Sequence, residues 1–178
     1  MATPFIVTTD GCKTGLAGMV SQKHSSVDHT GRAVSRIHPV AFTSKRTSPA
    51  EEKYKPFLLE FAALKFALDK FDDIIWGFPT ELETNCYALR DNLANTDMNS
   101  THERWWDGIL AHQVVDVRHR PRHLNKVADG MSRQYANLPK AEGDGHGWSV
   151  AQDWETGRGL INDILQVRTQ AEYALLQQ

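Results

Sequence analysis

Three carboxylates and one amide stand at points in this chain where strands and helices are expected to meet. Asp10 ends the first apolar, β-branched run, and Glu60 interrupts an apolar stretch with helical spacing. Asn85 follows another strand-like run, and Asp129 lies in a predicted helix. Hard divalent cations such as Mg²⁺ prefer oxygen ligands of this kind. Two such ions about 4 Å apart can position the attacking water and stabilise the leaving oxygen of a phosphodiester.

Each carboxylate also has an ordinary structural interpretation. Asp10 could be a strand-end residue in a turn, and Asp129 could be an exposed helix acid. Glu60 shares a predicted helix face with apolar residues, where a lone carboxylate is costly unless it is paired with a cation. Its alternative is a salt bridge to lysine or arginine. The case for a site depends on the convergence of these side chains at one end of a sheet.

The pattern of apolar residues predicts the elements that would produce this convergence. Five strands are predicted at residues 5–10, 16–22, 39–43, 81–84 and 114–118. Helices are predicted at residues 57–71, 87–95, about 101–112 and 125–133, with a polar loop at 23–35. The order predicts an α/β fold in which a mixed five-stranded sheet, three antiparallel strands and then crossover strands, is flanked by helices.

The composition changes after the last predicted helix. We expect one compact domain at residues 1–135 and a linker with a C-terminal helical tail at residues 136–178. The segment 140–148 is rich in glycine and charge, whereas residues 157–177 have helical spacing.

Several classes of protein are disfavoured by composition. Of the 178 residues, 40% are hydrophobic and 24% are charged, and no apolar run approaches the ~20 residues that span a bilayer. Cys12 and Cys86 are too few for a disulfide framework or a zinc site, which favours free thiols. The formal net charge is −2, so any nucleic-acid surface must be local.

One local basic stretch is present near the end of the predicted domain. It contains Arg118, Arg120, Arg122 and Lys126, which could contact phosphates beside a nuclease site. A solvated charged loop is the alternative interpretation.

Four separated stretches resemble the ribonuclease H domain of gypsy-type LTR retrotransposon polyproteins, particularly fungal ones. They are FIVTTDGCKTGLAGMVSQ, HPVAFTSKRTSPAEEKYKPFLLEFAALKFALDKF, ETNCYALRDNL and VDVRHRPRHLNKVADGMSR. The resemblance implies hydrolysis of the RNA strand of an RNA–DNA hybrid during reverse transcription. It also implies two Mg²⁺ ions, with Mn²⁺ as a substitute, and the reverse transcriptase domain of the same polyprotein as a partner. The implied location is a cytoplasmic retroelement particle, with the nucleus as the alternative.

The resemblance also assigns roles to individual residues. Asp10 would bridge the metals, Glu60 would hold one metal and orient water near the 2′-hydroxyl, and Asp129 would hold the other. His119 matches the position of a mobile histidine that shuttles protons or assists product release in related enzymes, although it could be a solvated loop residue. The fourth metal-ligand position, normally aspartate, is Asn85 in this chain.

The amide at Asn85 leads to two hypotheses. Its oxygen can still bind a cation, but it lacks the negative charge that helps to hold two divalent ions close together. The first hypothesis is a ribonuclease H with weak or abolished activity, arising from a substrate-trapping substitution or a decayed element copy. The second is a catalytically inactive, domesticated or decayed module that binds nucleic acid or protein.

Overall fold

A mixed five-stranded sheet with two helices packed against it organises the chain. The computed structural model describes residues 3–87, 89–90 and 107–148. The strands and helices are β1 (Phe5–Cys12), β2 (Gly15–Val27), β3 (Ala33–Arg46), α1 (Pro56–Ile75), β4 (Thr80–Thr84), β5 (Val114–His119) and α2 (Lys126–Arg133). None of the described helices is long and apolar enough to cross a bilayer.

The strand order is β3-β2-β1-β4-β5. The first three strands form an antiparallel meander, whereas β4 pairs in parallel with both β1 and β5. The predicted α/β architecture is therefore confirmed. Since β1, β4 and β5 are parallel, their carboxyl ends lie at the same edge of the sheet, where α/β folds commonly build sites.

The connection from β4 to β5 contains helical residues at 87, at 89–90 and at 107–110. Much of the predicted helices 87–95 and 101–112 lies outside the described residues.

Helix α1 forms the main core against one face of the sheet. Pro56 occupies its first turn, where a missing N–H costs no helical hydrogen bond. Its buried side chains include Phe61, Leu64, Phe66 and Leu68, which pack with apolar residues of β1 and β2. Burial of this apolar stripe is the main stabilising contribution of the helix.

Residues 23–35 do not form the predicted loop. Strands β2 and β3 continue as a two-stranded ribbon from Lys23↔Ile37 to Val27↔Ala33, beyond the last β1–β2 pair, Phe5↔Gln22. The sequence signal was weak because both faces of the ribbon are exposed, so the strands lack the apolar alternation of a half-buried sheet. A register shift next to Pro39 marks where the ribbon leaves the sheet.

The segment at 135–148 packs on the domain. The buried guanidinium of Arg46 donates hydrogen bonds to the carbonyl oxygens of Tyr135, Leu138 and Pro139. Trp148 packs against Phe66 of α1. Residues assigned to a linker therefore contact β3 and α1 as far as Trp148, and the domain boundary at residue 135 stays a prediction.

Candidate active site at the carboxyl ends of the parallel strands

Asp10 is the buried centre of the candidate site. It lies near the carboxyl end of the central strand β1, and only 2% of its surface is exposed. Both carboxylate oxygens accept hydrogen bonds, Oδ1 from Asn85 and Oδ2 from Ser132. Burial raises the pKa of Asp10, the hydrogen bond from Ser132 lowers it, and Asp129 raises it further. The net direction is upward, so ionisation of this carboxyl is disfavoured in the metal-free protein.

Asn85 is the first residue after β4 and lies beside Asp10. Its Nδ2 donates to Oδ1 of Asp10 over 2.9 Å. The amide nitrogen donates a hydrogen bond to the carboxylate. An aspartate at this position could donate such a bond only if it were protonated. With a cation present, the amide could turn its oxygen inward, but in this structure the nitrogen faces Asp10.

Ser132 of α2 completes the surroundings of Asp10, and the sequence did not identify it. Its Oγ lies 2.5 Å from Oδ2 of Asp10, and the residue is fully buried. A Cβ built on Gly15 would lie 2.4 Å from the carbonyl oxygen of Ser132, so only glycine in β2 lets α2 approach this closely. The available signal was the spacing of three residues from Asp129, which places both side chains on one side of a helix.

Glu60 is brought next to Asp10 by close packing of α1 on β1. A Cβ built on Gly11 would lie 2.2 Å from the carbonyl oxygen of Leu59, so glycine is required at this crossing. Glu60 is 9% exposed, and its Oε2 is buried with no hydrogen-bond partner. Burial and the neighbouring Asp10 raise the pKa of Glu60 to about 9. The salt-bridge alternative is not observed among the described residues.

Asp129 is in α2 and is the most exposed of the three carboxylates. Its Oδ1 accepts a hydrogen bond from Nε of Arg133 over 2.9 Å and lies 3.6 Å from Nη2 of Arg122. Within residues 3–87, 89–90 and 107–148, no three acidic, histidine or cysteine side chains are close enough to form a metal centre. Asp129 is thus paired with arginine, and it is also close enough to Asp10 to raise the pKa of that carboxyl.

The donors fit one hard divalent cation better than two. Asp10 and Glu60 are adjacent, and the unpartnered Oε2 of Glu60 is the kind of buried oxygen that a cation would satisfy. A second ion would need the Asp129 carboxylate to leave Arg133 and the Asn85 oxygen to turn inward. Asp10 and Glu60 therefore have the chemistry that a bound cation requires.

His119 ends β5 at the same edge of the sheet. Its Nε2 lies 3.2 Å from the carbonyl oxygen of Asn85. Its ring stacks on that of Tyr87, with centroids 3.5 Å apart and planes 10° from parallel. The guanidinium of Arg90 lies over the Tyr87 ring. The sequence did not identify Tyr87. This stack fixes the orientation of His119 beside the residue that contacts Asp10.

The predicted basic stretch is divided by the structure. Arg118 is paired with Asp116 and Glu81, and Arg120 is paired with Glu83. The pairs with Glu81 and Glu83 join β4 to β5 and the residue that follows it, and they depend on a strand register that the sequence could not supply.

The other two predicted phosphate contacts are more accessible. Arg122 is exposed and only loosely paired with Asp129, and Lys126 is exposed with no ion pair to any described residue. The four cations are therefore unequal, and Lys126 and Arg122 are the better candidates for contact with a polyanion.

Comparison with known proteins identifies the class. The model for the RNase H-like domain found in reverse transcriptase matches residues 1–112, and the chain belongs to this family. The match includes Asp10, Glu60 and Asn85 and ends before His119 and Asp129.

Among curated proteins, the chain is similar to two retrovirus-related Pol polyproteins of Drosophila melanogaster. It is 28% identical over 131 residues to that of transposon opus and 28% identical over 140 residues to that of transposon gypsy. These alignments cover 73% and 78% of this chain but only 12% of each polyprotein. The chain therefore corresponds to a small part of the relatives it matches.

A solved structure supports the fold. The N-terminal RNase H domain of a Mycobacterium tuberculosis protein, solved as a fusion with maltose-binding protein, aligns with a TM-score of 0.54 at 11% identity. The alignment covers 75% of this chain and 94% of that one. At this identity the likeness concerns the arrangement of strands and helices alone.

Proposed function

We propose that this chain is the ribonuclease H domain of a retrotransposon Pol polyprotein and that its site is impaired by Asn85. The substrate would be the RNA strand of an RNA–DNA hybrid, and the reverse transcriptase domain of the same polyprotein would be the natural partner. The membership of the RNase H-like family and the similarity to two Pol polyproteins support this assignment.

The observation that carries the proposal is the juxtaposition of two buried carboxylates at the carboxyl ends of the parallel strands. Burial raises the pKa of both carboxyls, Asp10 raises that of Glu60 further, and one oxygen of Glu60 has no partner among the described residues. A fold built only for stability would replace such a pair with neutral groups, because two buried like charges are costly. A divalent cation would relieve the repulsion and satisfy the free oxygen.

Asp10 and Glu60 would hold that cation. In a fully active relative, positions 85 and 129 would complete the set, with aspartate in place of Asn85. When bound, Mg²⁺ supplies Lewis-acid stabilisation of phosphoryl oxygens and an activated water. Ser132 holds Asp10 in position through its hydroxyl. His119, fixed by Tyr87, can donate or accept a proton at Nε2 if its contact with Asn85 opens.

Loss of charge at Asn85 explains why activity would be low. With the amide in place, the position contributes a neutral dipole and a hydrogen bond to Asp10. Both effects would lower the affinity of the site for a second cation. We expect the geometry of β4 to accept aspartate because the two side chains have nearly the same shape.

The second candidate function is a binding module without catalysis. It is favoured by the engagement of Asn85 with Asp10 and of Asp129 with Arg133, since both contacts occupy groups that a two-ion site would need. Such a module would bind a nucleic acid or protein without cutting it.

The test is cleavage of a labelled RNA–DNA hybrid in Mg²⁺ and in Mn²⁺ by the chain and by its Asn85→Asp variant. We expect cleavage by the variant that EDTA abolishes, at a rate at least about 100-fold above the parent, because one positioned charged group is worth roughly that factor or more in catalysis. The double variant Asn85→Asp/Glu60→Gln controls for contaminating nuclease and should be inactive. A folded Asn85→Asp variant that binds the hybrid without cutting it would support the binding-module function instead.

A further inference from the structure

The ribbon formed by residues 23–38 carries a concentration of positive charge that the proposed site does not use. It contains Lys23, Arg32 and Arg36, with Asp28 as its single acidic residue. Its three histidines, His24, His29 and His38, add polar surface. The formal charge of this segment is therefore +2 (three cations less one acid), against −2 for the whole chain.

The cations of the ribbon have no acidic partners. Within the described part of the chain, no carboxylate lies within ion-pair distance of Lys23, Arg32 or Arg36. Asp28 is occupied by the turn, where its Oδ1 accepts hydrogen bonds from the backbone N–H groups of Thr30 and Arg32. By contrast, Arg118 and Arg120, which the sequence favoured as phosphate ligands, are neutralised by glutamate and aspartate.

The geometry places this charge on a narrow projection. Five residue pairs, from Lys23↔Ile37 to Val27↔Ala33, extend past the last β1–β2 pair. At about 3.3 Å per residue, the ribbon projects roughly 17 Å beyond the sheet. It leaves the end of the sheet opposite to Asp10, since Gln22 pairs with Phe5 and Ala17 pairs with Asp10.

The two faces of the ribbon are both charged. Arg36 lies opposite His24 and shares a face with it, Lys23 projects from the other face, and Arg32 is next to the turn. Where such a narrow ribbon lies against a duplex, the cations on its two faces would meet phosphates on either side of it. The hydroxyls of Ser25, Ser26 and Ser35 are further phosphate donors.

From these features we infer that the β2–β3 ribbon is a second nucleic-acid surface, which binds the phosphate backbone of a duplex away from the candidate site. The partner is identified by charge and shape. Residues 23–38 expose three cations and several hydroxyls, and they contain no Phe, Tyr or Trp that could anchor a protein interface; their large exposed apolar side chains are Val27 and Ile37. The choice of an RNA–DNA hybrid as the duplex rests on the proposed function, whereas phosphate binding itself does not.

The experiment measures binding of the full chain to a labelled RNA–DNA hybrid of about 20 base pairs in EDTA, over a range of salt concentrations. The variant Lys23→Gln/Arg32→Gln/Arg36→Gln removes the three unpaired cations. The matched control Lys53→Gln/Lys55→Gln/Lys70→Gln removes three exposed lysines elsewhere and changes the net charge equally. Thermal unfolding of each variant checks that the fold is kept.

We expect the ribbon variant to bind the hybrid less tightly. The slope of log association constant against log salt concentration should become less steep by about 3, or about 0.9 for each lost phosphate contact. The control should keep most of the slope. Equal losses in both variants would overturn the inference in favour of a general charge effect. Unchanged binding by the ribbon variant would also overturn it and would leave an acidic protein as the partner to seek.

The measurement separates this inference from the proposed function. Binding in EDTA requires no cleavage, so loss of hybrid binding by the ribbon variant supports the second surface even if Asn85→Asp never cuts. If Asn85→Asp cleaves the hybrid and the ribbon variant binds it as tightly as the parent does, the proposed enzymatic function stands and the second nucleic-acid surface is rejected.

Discussion

The amide nitrogen of Asn85 donates a hydrogen bond to Asp10 across the two central parallel strands, and this contact ties the ends of β1 and β4 together. It replaces what would be a repulsion between two carboxylates with an attraction. The amide, which we propose weakens cation binding, therefore stabilises the metal-free fold. Under that proposal, function and stability make opposite demands on this one side chain.

The first prediction concerns this opposition. In EDTA, Asn85→Asp should lower the free energy of unfolding by about 1–3 kcal/mol, because a hydrogen bond is lost and a buried carboxylate pair is created. Added Mg²⁺ should restore stability to the variant in proportion to RT ln(1 + [Mg²⁺]/Kd), and should affect the parent less. Denaturant unfolding with and without Mg²⁺ measures both effects.

Asn85→Ala is the control for that experiment. It loses the same hydrogen bond but gains no charge, so it should be destabilised without a larger response to Mg²⁺. An equal response of the aspartate and alanine variants would contradict a cation position beside Asp10.

The second prediction concerns Glu60, whose pKa is raised to about 9 in the folded protein from an ordinary value of 4.5. A raised pKa means that the folded state binds the proton more tightly than the unfolded state. The stability that the raised pKa of Glu60 contributes is fully present below pH 4.5 and is lost as the pH rises through about 9. We expect the parent to lose up to about 1.4 kcal/mol per pH unit within that window relative to Glu60→Gln.

Unfolding curves of metal-free protein at several pH values test this dependence. Glu52→Gln, which changes a glutamate paired with Lys140 near the surface, is the control and should keep the slope of the parent. A Glu60→Gln variant whose stability varies with pH as steeply as the parent's would refute the assignment. Divalent cations should stabilise the parent more than Glu60→Gln.

The third prediction concerns His112, which is 5% exposed and lies edge-on to Trp76. Burial lowers the pKa of His112 from 6.5, although Asp72 at 3.5 Å acts in the opposite direction. Because the unfolded state then binds the proton more tightly, stability should fall as pH decreases below 6.5. His112→Phe should flatten this loss, as measured by thermal unfolding between about pH 7 and pH 5.

An exposed histidine provides the comparison. His123→Phe should leave the acid loss unchanged, because His123 is exposed. If His112→Phe and His123→Phe reduce the loss of stability at acid pH equally, this loss does not come from His112.

The fourth prediction concerns Arg46, whose side chain joins β3 to the segment at 135–148 through three carbonyl oxygens. Arg46→Ala should cost about 2–4 kcal/mol and expose the segment to proteolysis, because buried, charge-assisted hydrogen bonds are lost. Arg46→Lys should recover little, since an ammonium group cannot reproduce the planar fork.

Arg118→Ala is the comparison for Arg46, because Arg118 also makes charge-assisted contacts, in two ion pairs, but is exposed. Its cost should stay below about 1 kcal/mol. Limited proteolysis read by mass spectrometry would show whether cleavage begins between residues 135 and 148. Protection of that segment in Arg46→Ala would show that other contacts hold it.

The sequence predicted the central elements because burial leaves a periodic pattern. Helix α1 and strands β1, β4 and β5 were located to within a few residues. The antiparallel meander followed from the order of β1, β2 and β3 along the chain. The ribbon was missed because its polar residues match a loop composition, and only pairing between Lys23 and Ile37 and their neighbours reveals it.

The candidate site was predictable in its residue types but not in its contacts. Glu60 was singled out because it interrupts an apolar helix face, and the structure places it beside Asp10. The pairing of Arg118 with Glu81 depends on a strand register that no local pattern encodes. The pairing of Asp129 with Arg133 has the i, i+4 spacing of one helix, so the sequence contained that signal. Their roles in catalysis or metal binding stay predictions.

The hydrogen bond from Ser132 to Asp10 joins residues 122 positions apart. During synthesis, β1 is made before α2, so the surroundings of its carboxylate are complete only after α2 has been made. Contacts between residues so far apart in sequence slow folding, because the chain between them loses conformational entropy before the contact can stabilise the fold. A chain that stops before residue 132 would hold Asp10 without this partner, so we expect truncated products to lack a finished site.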